Sequence, residues 1–349
     1  MKRLLLILLV IFFGCKPEGK KTFVNPDLIT IKIDSLKQID ELKLDKIIYI
    51  PLETTERCLI GDITKIMFHN NYFYIADFIY SKAVYVFDLD GKFVNRIGIY
   101  GKGPGEVIEP RDFDLDEEGN IYLYDNMSKK IVLYSVKGEV LKVFDVPIRF
   151  MEFSFIKEGE VFFRNNIGED KLPLTLGLID LNKNIYYVNL ESRKVFDDSS
   201  IINYSRHYFF RSNSTVFYNQ RFTGNIYSLM QDGTITRTIS IIGCNFPDES
   251  FVSKLTDDRV LWENPSIIWD IRDIYENNGM TTLMISKGYF EEIRVLYSNK
   301  SEVSFSYREL DKRIYLGNGY IRGVADDCFI SIIESSDYNA PNWSDRIKQ

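Results

Sequence analysis

The sequence contains few residues of the kinds that build zinc and nucleic-acid sites. It has only two histidines, His69 and His207, among 349 residues. None of its four cysteines stands at the Cys-x-x-Cys spacing that is typical of structural zinc sites. The net charge is −7, so the chain lacks the basic surplus that binding to a phosphate backbone requires. These shortages argue against a zinc site rich in histidine and cysteine and against a nucleic-acid partner.

The apolar run at the start of the chain is too short to cross a membrane. The sequence begins MKRLLLILLVIFFGC, in which two basic residues precede the run Leu4–Phe13. A membrane-spanning helix needs about 20 apolar residues. A shorter run after a basic start is typical of a secretory signal peptide, which we predict at residues 1–14. An uncleaved anchor and a misread start are the alternatives.

The residues that follow this run resemble the lipobox of bacterial lipoproteins, since Gly14 directly precedes Cys15. Phe12 and Phe13 depart from the usual pattern. The resemblance implies that Cys15 is lipidated and begins the mature chain at the cell envelope. We expect the outer membrane, with the periplasmic or the surface side left open, and we assign residues 15–40 to this cysteine and a polar tether.

Three cysteines remain beyond Cys15, namely Cys58, Cys244 and Cys328. They could form at most one disulfide, and we favour buried free thiols.

Aromatic residues are abundant, at 14% of the chain, and this favours strands over helices. Two segments, residues 70–98 and 118–146, repeat the same order of turns and short alternating strands. In both segments the first strand ends in an aspartate, Asp77 or Asp125. Weaker copies follow, the last of them partial, from Tyr320 to Glu334. A period of 40 to 50 residues with about four strands is the signature of a β-propeller.

We therefore predict an all-β fold, a six-bladed β-propeller over residues 41–349 built from four-stranded antiparallel blades. A strand within residues 44–60 is expected to close the ring by pairing with the last blade. The alternative is a pair of stacked β-sandwiches. We expect the propeller to be a monomer.

Three motifs resemble the six-bladed β-propeller lipoproteins of Bacteroidetes, which are related in form to NHL-repeat propellers. They are IIYIPLETT (residues 47–55), the GKGPGE loop and the turn DLDGKFV. The resemblance covers about residues 44–335 and is strongest in the first two repeats. It implies a lipid-anchored propeller of the bacterial envelope.

The glycine-rich stretch GIYGKGPGE, residues 98–106, does not fit a phosphate-binding loop. No Lys-Ser or Lys-Thr pair follows its glycines and no helix pattern begins there, so the Walker and dinucleotide patterns both fail. Pro104-Gly105 marks a turn. We interpret the stretch as a connection between blades, with ligand contact as the alternative. Lys102, Glu106 and Arg111 are the predicted ligand residues.

The stretch DFDLDEEGN places three carboxylates, Asp112, Asp114 and Asp116, on one side of a predicted strand. An EF-hand needs a glycine at its sixth position and an acid at its twelfth, and here these are Glu117 and Leu123. We favour a strand followed by a turn. A divalent cation in the central channel stays open, and no cofactor is predicted.

The rhythm of the repeat breaks between Asp248 and Ile274, which suggests an insertion on one face. Its Trp262 precedes Asn-Pro in a predicted loop, so we expect Trp262 to be the exposed tryptophan and a ligand residue. We expect most other aromatic side chains, such as Trp269 and Trp343, to be core. His207 is interpreted as structural and His69 as a turn residue.

We predict a non-enzymatic, lipid-anchored binding propeller that presents its inter-blade loops to an envelope glycan, a peptide or a partner protein. The alternatives are a propeller hydrolase or lyase with a channel metal and a structural subunit of an envelope complex. The membrane is reached only through the lipid.

Overall fold

The computed structural model describes residues 22–165, 175–191, 207–220, 222–243, 245–252, 259–289, 291–310 and 321–333. Within these ranges the chain is almost entirely β-structure. The exceptions are two short helices, α1 (Glu249–Val252) and α2 (Arg259–Glu263), and a 3-10 turn at Ile33–Ser35. No helix in this described part is long and apolar enough to cross a membrane.

Five antiparallel sheets of four chain-consecutive strands form the blades. Blade one contains β3 (Lys65–His69), β4 (Tyr72–Asp77), β5 (Ala83–Phe87) and β6 (Phe93–Ile97). A short parallel pair, β7 (Ile99–Tyr100) and β8 (Glu106–Val107), lies between blades one and two. Blade two contains β9 (Pro110–Leu115), β10 (Ile121–Asp125), β11 (Lys130–Tyr134) and β12 (Val140–Asp145). Blade three contains β13 (Glu152–Lys157), β14 (Glu160–Arg164), β15 (Thr175–Asp180) and β16 (Ile185–Glu191).

Two strands from the start of the chain, β1 (Thr22–Lys32) and β2 (Lys37–Leu42), extend the last two blades. Blade four contains β17 (Phe209–Ser212), β18 (Thr215–Asn219), β19 (Asn225–Leu229) and β20 (Ile235–Ile242), with β1 parallel to β20. Blade five contains β21 (Ile268–Asn277), β22 (Met280–Lys287), β23 (Glu291–Ser298) and β24 (Val303–Leu310), with β2 parallel to β24.

The middle strands of the blades are buried on both faces, because each blade packs against its neighbours. Every residue of β5, β10 and β11 is buried. This two-sided burial explains why aromatic and aliphatic residues follow one another there, where a one-sided sheet would alternate apolar with polar positions.

The predicted tether and ring closure are both wrong where the structure describes them. Residues 22–32 of the assigned tether form β1, and its last residues, 37–40, lie in β2. Ile31 is fully buried against Ile239 and Ile241, so the outer edge of blade four gains apolar burial. Residues 44–60 contain no strand and instead lie along blade one, where the Glu53 N–H donates to the Gly91 carbonyl (2.8 Å). The predicted signal peptide, Cys15 and residues 16–21 lie outside the described residues.

The prediction of six four-stranded blades is also wrong, because the structure shows five. The position after blade five holds a two-stranded hairpin, β25 (Ile321–Ala325) and β26 (Cys328–Ser331). β25 packs beside both β21 of blade five and β3 of blade one, and this packing closes the ring. Residues 311–320 and 334–349, which flank this hairpin, lie outside the described residues.

The antiparallel order within the blades defines two faces of the propeller. The first strand of each blade begins at one face, which we call the top face. The connections between blades and the turns between second and third strands lie there. The other turns lie at the opposite, bottom face. The five first strands and β25 surround a central channel.

Candidate functional site

The glycine-rich loop lies on the top face, and its hydrogen bonds are chiefly between its own residues. The Gly101 N–H donates to the Val107 carbonyl (3.1 Å). The Glu106 carboxylate folds back into the loop and accepts the Gly103 N–H (2.8 Å). A Cβ atom at Gly101 would lie 2.0 Å from the Glu106 carboxylate oxygen, so a glycine is needed there. The contacts are those of a connection between blades, as the sequence predicted.

Blade two holds this loop from outside. The Tyr134 hydroxyl donates to the Gly105 carbonyl (2.7 Å), and Lys130 Nζ donates to the Gly103 carbonyl (3.0 Å). Lys102 is exposed, and Arg111 is half-buried at the start of β9. A ligand role for Lys102, Glu106 and Arg111 stays a prediction.

Trp262 lies on a different connection, between blades four and five. It is 53% exposed in α2, and its ring stacks on Tyr289 with 4.4 Å between the ring centroids. Leu261 anchors the helix in a small core with Trp269, whose indole N–H donates to the Gly288 carbonyl (2.7 Å). The prediction that Trp262 is exposed is confirmed, and its ligand role stays a prediction. Trp343 lies outside the described residues.

The sequence analysis missed a group of exposed large apolar side chains on the top face of blades one and two. We call this group the top-face apolar cluster, and its members are 53% to 72% exposed. They lie in the loop before β3 and in the turns and connection that follow β4, β6 and β10. They are Leu59, Ile79, Tyr80, Ile99, Tyr100 and Met127. Exposed apolar groups of this kind often mark interaction sites.

Two aspartates at equivalent positions of the repeat hold these segments in place. Asp77 accepts the Gly61 and Tyr80 N–H groups, each at 2.9 Å. Asp125 accepts the Ile108 N–H (2.9 Å) and the Glu109 N–H (3.0 Å). Burial alone would raise the pKa of Asp125, but these N–H groups and Ser128 lower it below its ordinary value. The exposed segments therefore sit on a fixed backbone.

The central channel contains a cavity of about 450 Å³. Carboxylates of blades two and three connect these blades to blades three and four by accepting backbone N–H groups. Asp112 accepts from Phe153 (2.9 Å), and Asp114 accepts from Phe155 (2.8 Å). Glu152 of blade three likewise accepts the Tyr208 N–H at the start of blade four (2.6 Å).

Each of these carboxylates also pairs with a basic side chain. Lys65 Nζ lies 2.8 Å from Asp112, and Arg211 binds both oxygens of Asp114, at 3.1 and 2.7 Å. Burial raises the pKa of Asp112 to about 6, although Lys65 opposes the rise. Burial would raise the pKa of Asp114 as well, but Arg211 and Lys65 bring it below its ordinary value.

The three carboxylates that were considered as an alternative cation site therefore have other partners. Asp116 accepts the Asn120 N–H (2.8 Å) and stabilises its own turn, while Asp112 and Asp114 bind Lys65 and Arg211. Among the described residues, no group of three acidic, histidine or cysteine side chains is arranged to hold a metal ion.

Both histidines connect separate parts of the ring. His69 Nε2 lies 2.9 Å from the Glu117 carbonyl of blade two. His207 contacts Glu152 through Nδ1 (3.0 Å) and reaches the Thr64 carbonyl of blade one through Nε2. These contacts agree with a structural role for His207.

Two of the cysteines lie in the described part of the chain. Cys58 is buried and Cys328 is exposed, and both are free thiols. Cys244 lies outside the described residues.

The blades and their central channel define a β-propeller, and the chain belongs to the family described as "Domain of unknown function (DUF4934)". The model of that family matches residues 28–346. The fold is shared with a protein of Bacteroides fragilis that is described as exported. The two are 20% identical over 80% of each chain, with a TM-score of 0.65.

Two other solved structures are similar over most of this chain. A DUF4221-family member from Bacteroides vulgatus is 13% identical over 74% of this chain and 84% of its own, with a TM-score of 0.45. Virginiamycin B lyase from Staphylococcus aureus is 12% identical over 70% of this chain and 69% of its own, with a TM-score of 0.39. No curated protein matches the chain.

Proposed function

We propose that this protein is an exported binding propeller, anchored by lipid at Cys15, that docks a partner protein on its top face. The top-face apolar cluster carries the proposal. Its side chains project from turns that Asp77 and Asp125 hold rigid, so a partner would meet a preformed surface. A preformed surface lowers the entropy that is lost on binding.

Basic groups beside the cluster favour a partner with acidic residues. Lys82 Nζ lies 5.5 Å from the centre of the Tyr100 ring, and Arg96 donates to the Ser81 and Gly98 carbonyls on either side. Lys102 is exposed two residues beyond Tyr100. Asp62, Glu106 and Glu109 stand in the same top-face segments, and the net charge of the chain is −7. Charge complementarity of this kind guides partner choice.

The start of the sequence supports the anchor, because a basic start and a short apolar run lead directly to Gly14-Cys15. The similarity to an exported protein agrees with transport out of the cytoplasm. An outer-membrane location and NHL-like character of the repeats belong to this proposal. Cys15→Ala should abolish labelling of the chain by a fatty-acid analogue, and a labelled variant would overturn the anchor.

Site-specific photo-crosslinking in the producing cells tests the docking surface. A photoreactive residue at Tyr80, Tyr100 or Met127 should give one shared adduct, identified by mass spectrometry. The matched controls are Leu89 and Met230, which are exposed apolar residues in bottom-face turns. Equal adducts from both faces, or none from the top face, would contradict the proposal. If one partner protein were crosslinked at a fixed ratio to this protein, the protein would be a structural subunit of an envelope complex.

A glycan is a second candidate, because the exposed Trp262 ring is stacked on Tyr289. Aromatic rings provide flat apolar surface on which sugars stack. Thermal melting with envelope polysaccharide fragments tests it. A ligand at about 100 times its dissociation constant stabilises the native state by about 2.7 kcal/mol. The shift should vanish in Trp262→Ala and persist in Tyr100→Ser, and a shift unaffected by Trp262→Ala would exclude this site.

A propeller hydrolase or lyase with a channel metal is the remaining alternative. It predicts a stoichiometric cation in the purified protein that a chelator removes together with an activity. Elemental analysis of the full chain distinguishes it from a binding propeller.

A further inference from the structure

The channel wall places its carboxylates behind its basic groups. Asp112 and Asp114 are each 3% exposed and Glu152 is 4% exposed. Their partners face the cavity more fully, since Arg211 is 26% exposed and Lys65 is 12% exposed. At Lys65 and Arg211 the cavity therefore meets hydrogen-bond donors in front of carboxylates that are already paired.

Hydrogen bonds from two of its three guanidinium nitrogens hold Arg211 in one orientation. Its Nε and Nη2 donate to Asp114, and Nη2 also contacts the Ser154 hydroxyl and the Phe155 carbonyl, both at 3.1 Å. Within the described part of the chain, Nη1 makes no hydrogen bond. A guanidinium fixed by a carboxylate on one side presents planar donors on the other, and this geometry suits a second carboxylate.

Lys65 is a second basic side chain near Asp114. Its ammonium group donates to Asp112 and to the Phe113 carbonyl, both at 2.8 Å, and an ammonium group has three N–H bonds. Asp114 lies within electrostatic reach of both Lys65 and Arg211. Two basic groups thus flank one part of the wall.

Asp116, Glu117 and Asp326 also line the cavity, and Asp273 of blade five is a fourth further carboxylate there. Asp273 is 13% exposed, and burial raises its pKa against the influence of Arg322, Arg272 and His207. Arg322 of β25 lines the cavity as well. The basic side chains around Asp273 thus offset only part of the effect of burial on its carboxylate.

The rest of the wall and the size of the cavity suit a small molecule with an apolar part. Phe209, Val216 and Leu229 line the cavity, and its volume of about 450 Å³ lies within the range of small-molecule sites. Asn213 and Gln231, from bottom-face turns, also line it, whereas His207 crosses toward Thr64 near the top. Polar side chains of bottom-face turns thus line one end of the cavity, and the contact between His207 and Thr64 lies at the other end.

We propose that the central channel is a binding site for a small organic carboxylate, which enters from the bottom face and is bound by Arg211 with Lys65 beside it. The site is separate from the top-face apolar cluster and does not depend on the docking proposal. It would give the propeller a soluble ligand in addition to a protein partner.

Calorimetry on the full soluble chain tests this site with three acids and their neutral counterparts. The pairs are benzoate with benzamide, succinate with succinamide, and galacturonate with galactose. At least one acid should bind with 1:1 stoichiometry while its neutral counterpart binds at least about tenfold more weakly, equivalent to 1.4 kcal/mol. If no acid binds better than its counterpart, the proposal is overturned.

Two variants locate the binding. Arg211→Lys keeps the charge but loses the planar fork, and it should weaken acid binding about tenfold. Ser214→Trp places a large side chain at the bottom end of the cavity and leaves Arg211 intact. It should weaken binding similarly, whereas Ser301→Trp, in an exposed bottom-face turn of blade five, should have no effect. Acid binding unchanged in both Arg211→Lys and Ser214→Trp would place the ligand elsewhere and refute the proposal.

Discussion

Charged side chains of the channel wall lie within hydrogen-bond distance of groups on neighbouring blades, whereas the large side chains of the top-face apolar cluster project from turns toward solvent. The wall residues connect blades that are not otherwise paired by sheet hydrogen bonds. The exposed cluster contributes little to any core. The wall residues stabilise the ring, whereas the exposed residues contribute little to the stability of the fold and are candidates for binding. Substitutions in the two groups should therefore change the free energy of unfolding by different amounts.

The largest expected effect is at Asp114, which joins blades two, three and four. Asp114→Ala leaves Arg211 without its carboxylate and removes the acceptor for the Phe155 N–H. Loss of one partner of a buried ion pair costs about 3–5 kcal/mol, and we expect a decrease of this size in the free energy of unfolding. Urea denaturation measures it. Asp90→Ala, in an exposed turn, is the control. If Asp114→Ala lowered the free energy of unfolding as little as Asp90→Ala does, the channel wall would have no structural role.

A smaller loss is expected at Asp125, whose carboxylate fixes the connection between blades one and two. Asp125→Asn should lower stability by about 2 kcal/mol at neutral pH, the range for hydrogen bonds to a charged group. The folded-state pKa of Asp125 is lowered, so its contribution is present above the unfolded value of about 3.9 and lost as pH falls below it. The difference in the free energy of unfolding between the wild-type protein and Asp125→Asn should therefore become smaller below about pH 4.

Asp77→Asn is the matched variant in blade one, where the same carboxylate position holds Gly61 and Tyr80. Asp77→Asn should lower the stability at neutral pH by a similar amount. A pair of variants with unequal losses would show that the two repeats differ in energy despite their shared sequence pattern.

The parts of the fold that the sequence predicted are those whose signals are local. The repeat, the strand-ending aspartates and the connection role of the glycine-rich loop all lie within short stretches of the first two blades. β1 and β2 were missed because their partners, β20 and β24, lie more than two hundred residues further along the chain, as the pairs Thr22–Ile235 and Lys37–Phe305 show. Among the described residues the sixth position holds only two strands, and the prediction of four there extrapolated a period from two strong copies.

The candidate site was predicted less well for a related reason. Apolar residues in turns, such as Ile79 and Tyr80, are of the same residue types as core residues, and only the fold shows that they are exposed within the described part of the chain. The pairing of Asp114 with Arg211 spans 97 positions, so no spacing rule could have linked them. Trp262 was recognised because the residues around it break the rhythm of the repeat.

Glu106 provides a test of intermediate size, because it was predicted as a ligand residue but folds into its own loop. Glu106→Ala should lower stability by about 1 kcal/mol through loss of the bond from the Gly103 N–H. Gly101→Ala should cost a similar amount alone and little when combined with Glu106→Ala, since the added methyl group collides only with Glu106 among the nearest atoms. Additive losses in urea denaturation would contradict this account of the loop.

The smallest effect on folding is expected in the top-face apolar cluster. Tyr80 and Tyr100 are 72% and 67% exposed, so most of their apolar area meets water in both the folded and the unfolded chain. Tyr80→Ser and Tyr100→Ser should each change stability by less than about 0.5 kcal/mol. Tyr124→Ser, in the fully buried β10, is the control and should lose several times more. If Tyr100→Ser were as destabilising as Tyr124→Ser, the cluster would be part of the core. If it leaves stability unchanged but removes the top-face adduct, the exposure of these rings serves binding alone.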